Sequence, residues 1–240
     1  MREVSHLGAI PRILLGTSPF LGAGQFGGRA YRYFRKFYGN PQEIIKILDV
    51  CWELGVRGIQ LLPEEYIVEA IETWMETTGN RIIVIPSVLH VEDLHRLSDL
   101  EVVAVLLHAS RVDSRNRRIL EDFSRSIRDM GFLAGIATHI PYRTISWVHR
   151  EGIKVDIVML PINKIRYMMD GPLDEIGSLL REIGCGVIAK KILAAGRIPV
   201  HEAIEFVSKL DFVDAVAIGV ASIDEAKETF SIARRLLGGR

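Results

Sequence analysis

The sequence predicts an α/β protein, a (β/α)₈ barrel of parallel strands. Eight short apolar runs alternate with amphipathic segments along the 240 residues, and several runs are near-continuous Val, Ile and Leu. Such runs are typical of parallel strands that are buried on both faces. Eight strand–helix units in a chain of this length suit one barrel, with a doubly wound open sheet as the alternative. The predicted strands are Ile13–Leu15, Val56–Leu62, Ile82–Ile85, Val102–Leu107, Phe132–Ala137, Ile157–Leu160, Val187–Ala189 and Ala215–Val220.

Helix signals lie between these strands. Asn40 is suited to cap a helix that starts at Pro41, and Ser222 with Glu225 forms a capping-box pattern before the last helix. No linker or low-complexity tract divides the chain, so a single domain over residues 1–240 is predicted. The predicted helices are 41–54, 64–77, 91–97, 114–130, 142–150, 173–183, 199–210 and 223–237.

Composition excludes several classes of function. The 30 basic and 30 acidic residues balance, which argues against a general nucleic-acid or membrane-surface binder. No run reaches the length of a membrane span, and the two isolated cysteines suit a reducing cytoplasm. Few Asn, Gln and Cys residues, with 22 Arg against 8 Lys, suggest a thermophilic source. A small-molecule ligand is the expected partner, and the oligomeric state is left open.

The one long connection, residues 17–40, follows the first strand. Gly22, Gly24 and Gly27 match GxGxxG, but no acidic residue ends the next strand, which disfavours a dinucleotide-binding turn. The segment then carries interleaved basic and aromatic residues at 29–38. It is predicted either to lie across the barrel mouth as a lid or to pack on the barrel as an amphipathic helix.

Function in such barrels sits at the carboxyl ends of the strands, where this chain places polar residues. Two adjacent lysines, Lys190 and Lys191, end the seventh strand. Because successive side chains of a strand alternate, one lysine should face the barrel and the other the surrounding helices, unless the strand ends early and both are solvated. The other candidates at strand ends are Thr17, Ser18, Gln60, Ser87, His90, His108, Thr138, His139, Asn163, Lys164, Gly219 and Ser222.

Three of these candidates are histidines that end consecutive strands. His90, His108 and His139 could together hold a zinc ion, but no acidic partner and no recognised ligand spacing accompany them. A single histidine acting as acid, base or hydrogen-bond donor is therefore favoured over a metal site.

Short motifs in a constant order run through the whole chain. They are LGTSPFLGAG at 15–24, Val105–His108, Gly135–Thr138, Val158–Asn163, Gly186–Gly196 and Ala217–Asp224 leading to Glu228. In order and spacing they resemble the aldo-keto reductase superfamily. This resemblance implies a TIM barrel of the aldo-keto reductase type that reduces carbonyl compounds with NADPH, through an Asp–Tyr–Lys–His tetrad.

The resemblance also shows where this sequence departs from the superfamily. The tetrad Asp falls on Gln60, the Lys falls near Ser87, and the Tyr lies in a shortened loop near Tyr66; only His108 remains. A tyrosine without its lysine and aspartate is a poor proton donor near neutral pH. The chain is thus expected to be a divergent member that lacks most of the tetrad.

Contacts to the nicotinamide are altered as well. The amide-binding Ser-Asn pair falls on Ala137 and Thr138, the strand-six Gln on Met159, and the aromatic residue that stacks on the ring on Lys190. The same aligned position favours Lys190 as the inward lysine. The features that bind a phosphate in the superfamily are better kept. The residues predicted to bind a phosphate are Lys191, Gly196, Gly219 and Ser222. NADP is doubtful as the source of that phosphate.

Three functions follow as hypotheses. In the first, an enzyme acts on a small anionic or carbonyl metabolite, with Lys190 as a Schiff-base amine, as in lyases or isomerases, and His108 moving protons. Gln60, Thr138, His139 and Asn163 would orient its substrate. In the second, an atypical NAD(P)H-dependent reductase uses Tyr66 or His108 as proton donor. In the third, the barrel binds a metabolite without turning it over.

Overall fold

A computed structural model describes residues 7–238, and its sheet is a closed parallel barrel. The strands are β1 (Ile13–Gly16), β2 (Gly58–Leu61), β3 (Ile83–Val88), β4 (Glu101–Val102 and Ala104–Leu107), β5 (Leu133–Ala137), β6 (Ile157–Pro161), β7 (Gly186–Lys190) and β8 (Ala215–Ile218). Each pairs in parallel with its neighbours in the order β2-β1-β8-β7-β6-β5-β4-β3, and β2 also pairs with β3. The predicted (β/α)₈ barrel is therefore confirmed, and the open sheet is excluded.

Helices surround the barrel. They are α1 (Ala30–Phe37), α2 (Pro41–Glu53), α3 (Glu65–Thr78), α4 (Ala109–Val112), α5 (Arg117–Asp129), α6 (Pro141–Arg150), α7 (Leu173–Ile183), α8 (Val200–Ser208) and α9 (Ile223–Leu237). The predicted helix at 114–130 begins at Arg117 instead, because the Asn116 side chain caps it by accepting from the Ile119 amide. The predicted helix at 91–97 is a 3₁₀ helix, Val91–Leu97. None of the helices in the described part of the chain is long and apolar enough to cross a membrane.

Two apolar layers hold the barrel together, as expected for strands that are buried on both faces. The larger layer fills the space between the sheet and the helices. The smaller layer fills the barrel itself with alternate side chains from the strands, including Leu14, Leu106, Met159 and Ile188. Because side chains of one strand alternate between these layers, membership of the inner layer shows which residues at the strand ends face the mouth.

Candidate active site at the barrel mouth

A cavity of about 370 Å³ opens at the carboxyl ends of the strands. It is bordered by strand ends, by the segment after β1 and by the first turns of α9. Of the predicted site residues, it takes in His108, Lys190, Gln60, His139, Lys191, Gly196 and Gly219. Thr138, Asn163 and Ser222 are not among its lining residues. Sequence reasoning therefore located the cavity but did not identify all of the groups that face it.

Both lysines at the end of β7 point into this cavity. Ile188 belongs to the inner layer, and Lys190, two residues later, projects from the same face of the strand. Lys191 follows the strand with a positive φ of 57°, so it does not continue the alternation. The prediction that one lysine faces the surrounding helices is wrong for this reason, as is the alternative that both are solvated, because both are partly buried.

His139 is the meeting point of the two amines. Its Nδ1 lies 3.3 Å from Nζ of Lys190 and 3.5 Å from Nζ of Lys191. Burial, with the charges of Lys190, Lys191 and His108, lowers the pKa of His139 to about 3. The imidazole is therefore neutral near pH 7, and its Nδ1 can accept a hydrogen bond from either ammonium.

Burial also weakens the basicity of both lysines. Desolvation, followed by the charge of Lys191, lowers the pKa of Lys190 to about 7, although Asp113 partly opposes this change. Desolvation lowers the pKa of Lys191 to about 8, again opposed by Asp113. Near neutral pH, Lys190 is therefore the amine with the larger uncharged, nucleophilic fraction.

His108 is held in one orientation beside His139. Its Nδ1 accepts from the backbone amide of Ser110 at 3.2 Å, and it lies 3.0 Å from the Ser110 hydroxyl oxygen. A nitrogen that accepts from an amide carries no proton, so the neutral ring bears its proton on Nε2. The two imidazole rings are 6.1 Å apart in an edge-to-face arrangement. Burial and the charge of Lys190 lower the pKa of His108, so it is suited to donate a hydrogen bond as a neutral group.

Asp113 supports this group from behind, and the sequence did not reveal it. Its carboxylate accepts from the hydroxyls of Thr138 at 2.5 Å and Thr144 at 3.1 Å, and from the His139 amide at 3.0 Å. The residue lies in the loop beyond α4, six residues after β4 ends, and therefore outside the strand ends at which the sequence predicts the site. Asp113 is an acidic residue close to His139 and the two lysines, and none was found among the strand-end candidates.

Two residues that were predicted to orient a substrate are structural instead. The Thr138 side chain is fully buried, and its hydroxyl is used by Asp113, Thr144 and the amide of Ile140. The Asn163 side chain is buried too, and it closes a turn by bonding the amide and carbonyl of Tyr167. Their hydrogen-bonding groups are satisfied within the protein, so they are not available to a ligand.

Gln60 remains a cavity residue, in agreement with its predicted place. Its Nε2 lies 3.3 Å from the Leu61 carbonyl oxygen and 3.4 Å from the hydroxyl of Ser87, which also lines the cavity. These hydrogen bonds are long, so the amide can exchange them for contacts with a bound molecule.

The predicted phosphate-binding group is only partly brought together. Lys191, Gly196 and Gly219 border the cavity. The Ser222 hydroxyl instead caps α9 by accepting from the Glu225 amide at 3.1 Å. Glu225 and Glu228 on α9 also border the cavity, and acidic groups disfavour a phosphate nearby. Phosphate binding stays a prediction.

The segment at 17–40 has a helix packed on the barrel, as one prediction held, and a part that borders the mouth. Its helix α1 packs through the buried side chains of Tyr33 and Phe37, while the preceding 3₁₀ helix, Gly24–Arg29, borders the cavity with Gln25, Phe26 and Arg29. A Cβ at Gly22 would lie 2.4 Å from the Ala30 carbonyl oxygen, so this glycine allows the tight turn into α1. Gly22 therefore has a packing role, whereas a Cβ at Gly24 or Gly27 would meet no atom within 4 Å.

Three hydrogen bonds tie this segment to the loops after β6, β7 and β8. Arg29 donates to the Ala195 carbonyl and Lys36 to the Ala221 carbonyl, while Tyr167 donates to the carbonyl of Gln25. The segment therefore borders the mouth and is fixed to these loops in the described structure. Whether it opens and closes as a lid stays a prediction.

Two further candidates are not part of the cavity. His90 is exposed at the start of the 3₁₀ helix after β3 and does not join the other two histidines. Over residues 7–238 no group of three or more His, Cys, Asp or Glu side chains is arranged to hold a metal ion. The hydroxyl of Tyr66 donates to the Phe20 carbonyl at 3.0 Å, and burial raises the pKa of this phenol to about 12. Tyr66 is therefore not the proton donor that the reductase hypothesis required.

Several solved structures are similar to the chain over most of its length. A protein from Pseudomonas aeruginosa, assigned as an aldo-keto reductase, has a TM-score of 0.66 at 18% identity, covering 94% of this chain and 91% of that one. A protein assigned as a 2,5-diketo-D-gluconic acid reductase B gives 0.59 at 14% identity, with 97% and 89% covered. An aldo-keto reductase from a Medee basin deep-sea metagenome library gives 0.58 at 10% identity, with 96% and 92% covered.

The chain has the aldo-keto reductase fold. This finding confirms the barrel type that the motifs predicted. At identities of 10–18%, the similarity shows the fold and not the function. No protein-family model and no curated protein sequence matches the chain. The chemistry of the site must therefore be argued from its own residues.

The residues that the resemblance places around a nicotinamide ring do not offer its usual contacts in this cavity. At the aligned stacking position Lys190 projects an amine into the cavity in place of an aromatic face. At the aligned amide-binding positions Ala137 has only a methyl group, and the Thr138 hydroxyl is already bonded to Asp113. Met159 offers a thioether, a weak acceptor, where an amide stood. No step of the chemistry proposed below uses a nicotinamide.

Proposed function

We propose that the protein is an enzyme that acts on a small carbonyl metabolite by forming an imine with Lys190. The observation that supports this most directly is the position of its amine. Nζ of Lys190 lies at the cavity and 3.3 Å from Nδ1 of the neutral His139. An amine nucleophile needs a lowered pKa, access to the substrate and a fixed orientation, and the hydrogen bond to His139 supplies the third.

The first step follows from these groups. The uncharged Nζ of Lys190 attacks the carbonyl carbon, forming a C–N bond as the C=O π electrons move to oxygen. The oxygen then leaves as water, taking up the two protons that the amine loses, and a C=N bond remains. Nδ1 of His139 accepts a hydrogen bond from Nζ of Lys190 and so orients the amine during this exchange. Protonation of the imine then makes it an electron sink for cleavage of a bond to the adjacent carbon, as in lyases and isomerases.

The other groups have supporting roles. His108 offers its Nε2 proton to the carbonyl oxygen, and Gln60 offers its amide to a polar substituent. Asp113 accepts from the backbone amide of His139 and so positions the imidazole that contacts Lys190. Cys51 and Cys185 are buried thiols, which supports the proposal that the enzyme works in a reducing cytoplasm.

Reductive trapping tests the proposal. The protein is incubated with pyruvate, hydroxyacetone or glycolaldehyde and cyanoborohydride, and the modified residue is located by mass spectrometry. We expect one adduct at Lys190, which disappears in Lys190→Met. The matched control is Lys154→Gln, an exposed lysine before β6 at the opposite end of the barrel. Labelling spread evenly over surface lysines, with none favoured at Lys190, would overturn the proposal.

A further inference from the structure

The two lysines at the mouth lack a counter-ion among the residues that the structure describes. Lys190 and Lys191 converge on the neutral ring of His139, and within residues 7–238 no carboxylate lies within ion-pair distance of either amine. Of the three acidic groups near this cavity, Asp113 already accepts three hydrogen bonds. Glu225 accepts from the Ala221 amide at 2.7 Å, and Glu228 is exposed on α9 outside the ring of strands.

A partly buried ammonium without a partner is costly. Several other lysines of the described chain are paired with a carboxylate, for example Lys46 with Glu43 and Lys209 with Glu205. At the mouth, Lys191 contacts only a neutral imidazole and the sulfur of Met168, at 3.1 Å. Arg29, on another edge of the same cavity, donates to a carbonyl rather than to a carboxylate. Within the described residues the cavity therefore presents two amines and a guanidinium that make no direct ion pair.

The spacing of the two amines restricts where a negative group would sit. Both amines contact the same ring nitrogen, at 3.3 Å and 3.5 Å, so they converge on one part of the cavity. A carbonyl carbon attached to Lys190 would place a substituent on the adjacent carbon within reach of Lys191. A carboxylate there would gain a charge-assisted hydrogen bond, which is stronger than a neutral one.

We infer that Lys191 forms an anion subsite and that the substrate class of the Lys190 amine is a 2-oxo acid, whose carboxylate Lys191 binds while its ketone meets Lys190. This inference rests on the proposed imine chemistry for the ketone, whereas the carboxylate contact is independent of it. Lys191 is a binding residue here, and the bound carboxylate is the counter-ion that the two lysines lack.

Two matched probes separate the carboxylate from the carbonyl. Pyruvate and hydroxyacetone are both small methyl ketones, and only pyruvate carries a carboxylate. We expect cyanoborohydride to trap pyruvate on Lys190 about ten- to a hundredfold faster than hydroxyacetone, the range of one hydrogen bond to a charged group. Lys191→Gln should reduce this preference to near unity while hydroxyacetone is still trapped, Lys191→Arg should keep it, and Lys154→Gln should behave as the wild type.

A third probe reports on the subsite without imine formation. Oxamate has the shape and charge of pyruvate, but its amide carbonyl does not form an imine. We expect it to slow acylation of Lys190 by acetic anhydride in the wild type and in Lys191→Arg, and not in Lys191→Gln. Oxamate protection without any trapped adduct would leave the subsite standing and overturn the imine. Equal trapping of pyruvate and hydroxyacetone by the wild type would overturn the subsite and leave the imine standing.

Discussion

The amine of Lys190 and Nδ1 of His139 are 3.3 Å apart, joining the ends of β7 and β5 across the barrel mouth. The intervening strand, β6, ends in Pro161, and its Met159 belongs to the apolar barrel interior. A buried amine thus faces a neutral imidazole above an apolar floor. This contact motivates most of the tests below, because the charge of Lys190 helps to lower the pKa of His139.

Acylation of Lys190 should depend on pH with a midpoint near 7, because burial lowers the pKa of this amine to about 7. Lys191→Met should move the midpoint upward by removing the adjacent positive charge, whereas Lys191→Arg should leave it low. The measurement is the rate of labelling by acetic anhydride, resolved by residue in mass spectrometry, with Lys154 as internal reference. A midpoint close to 10 for Lys190 would contradict the structure.

Replacing Lys190 by Met should stabilise the fold at low pH. The unfolded lysine keeps its ordinary pKa of 10.5, so below pH 7 the folded state holds a charged, desolvated amine at full cost. Stability of the wild type should therefore rise as pH increases from about 7 to 10.5, where the unfolded state binds more protons. We expect Lys190→Met to raise the free energy of unfolding by on the order of 2–4 kcal/mol at pH 6, and by little near pH 10. Urea denaturation at both pH values measures this, and an equal effect at the two would contradict it.

Asp113→Asn should lower the pKa of both lysines further, since the Asp113 charge raises each of them. The substitution keeps the size of the side chain while removing its charge. The midpoint of Lys190 acylation should therefore shift to lower pH. The free energy of unfolding should fall by about 1–3 kcal/mol, because charge-assisted hydrogen bonds from Thr138 and Thr144 are weakened. An unchanged acylation midpoint would show that Asp113 does not act on the lysines.

Thr138→Val distinguishes a structural threonine from a ligand-binding one. The hydroxyl is buried and bonded to Asp113, so its loss should lower the free energy of unfolding by about 1–3 kcal/mol. The rate of pyruvate trapping should change by less than about twofold, because the Thr138 side chain does not line the cavity. Full stability combined with a large loss of trapping would restore Thr138 to the site.

NADPH should not compete for the mouth. Titration of the wild type with NADPH, followed by tryptophan fluorescence, should show no saturable change that oxamate reverses, because Lys190 takes the stacking position and Thr138 is engaged. Tyr66→Phe should leave pyruvate trapping unchanged, since its hydroxyl bonds the Phe20 carbonyl away from the cavity. Competitive NADPH binding would contradict the poor fit of the nicotinamide and favour the reductase hypothesis.

The amino-acid sequence by itself determined the barrel and the end of it that carries function. Continuous apolar runs such as those at β4 and β6 require burial on both faces, and the alternation with amphipathic helices leads to a closed parallel sheet. Residues at strand ends then follow directly, which is how Gln60, His108, His139 and Lys190 were found. Sequence periodicity describes one strand at a time, and the end of each strand was sufficient to predict that these residues lie at the mouth.

Only the tertiary structure decided which of these side chains meet. The positive φ of Lys191 turns it to the same side as Lys190, and strand alternation cannot anticipate a residue that lies beyond the strand. The acid comes from a loop: Asp113 binds Thr138 and the amide of His139, contacts between parts of the chain that lie about 25 residues apart. Asn163 and Ser222 likewise satisfy local turns and caps. Hydrogen bonds between separate segments depend on how the barrel closes, and this is why the sequence located the mouth while the fold determined its chemistry.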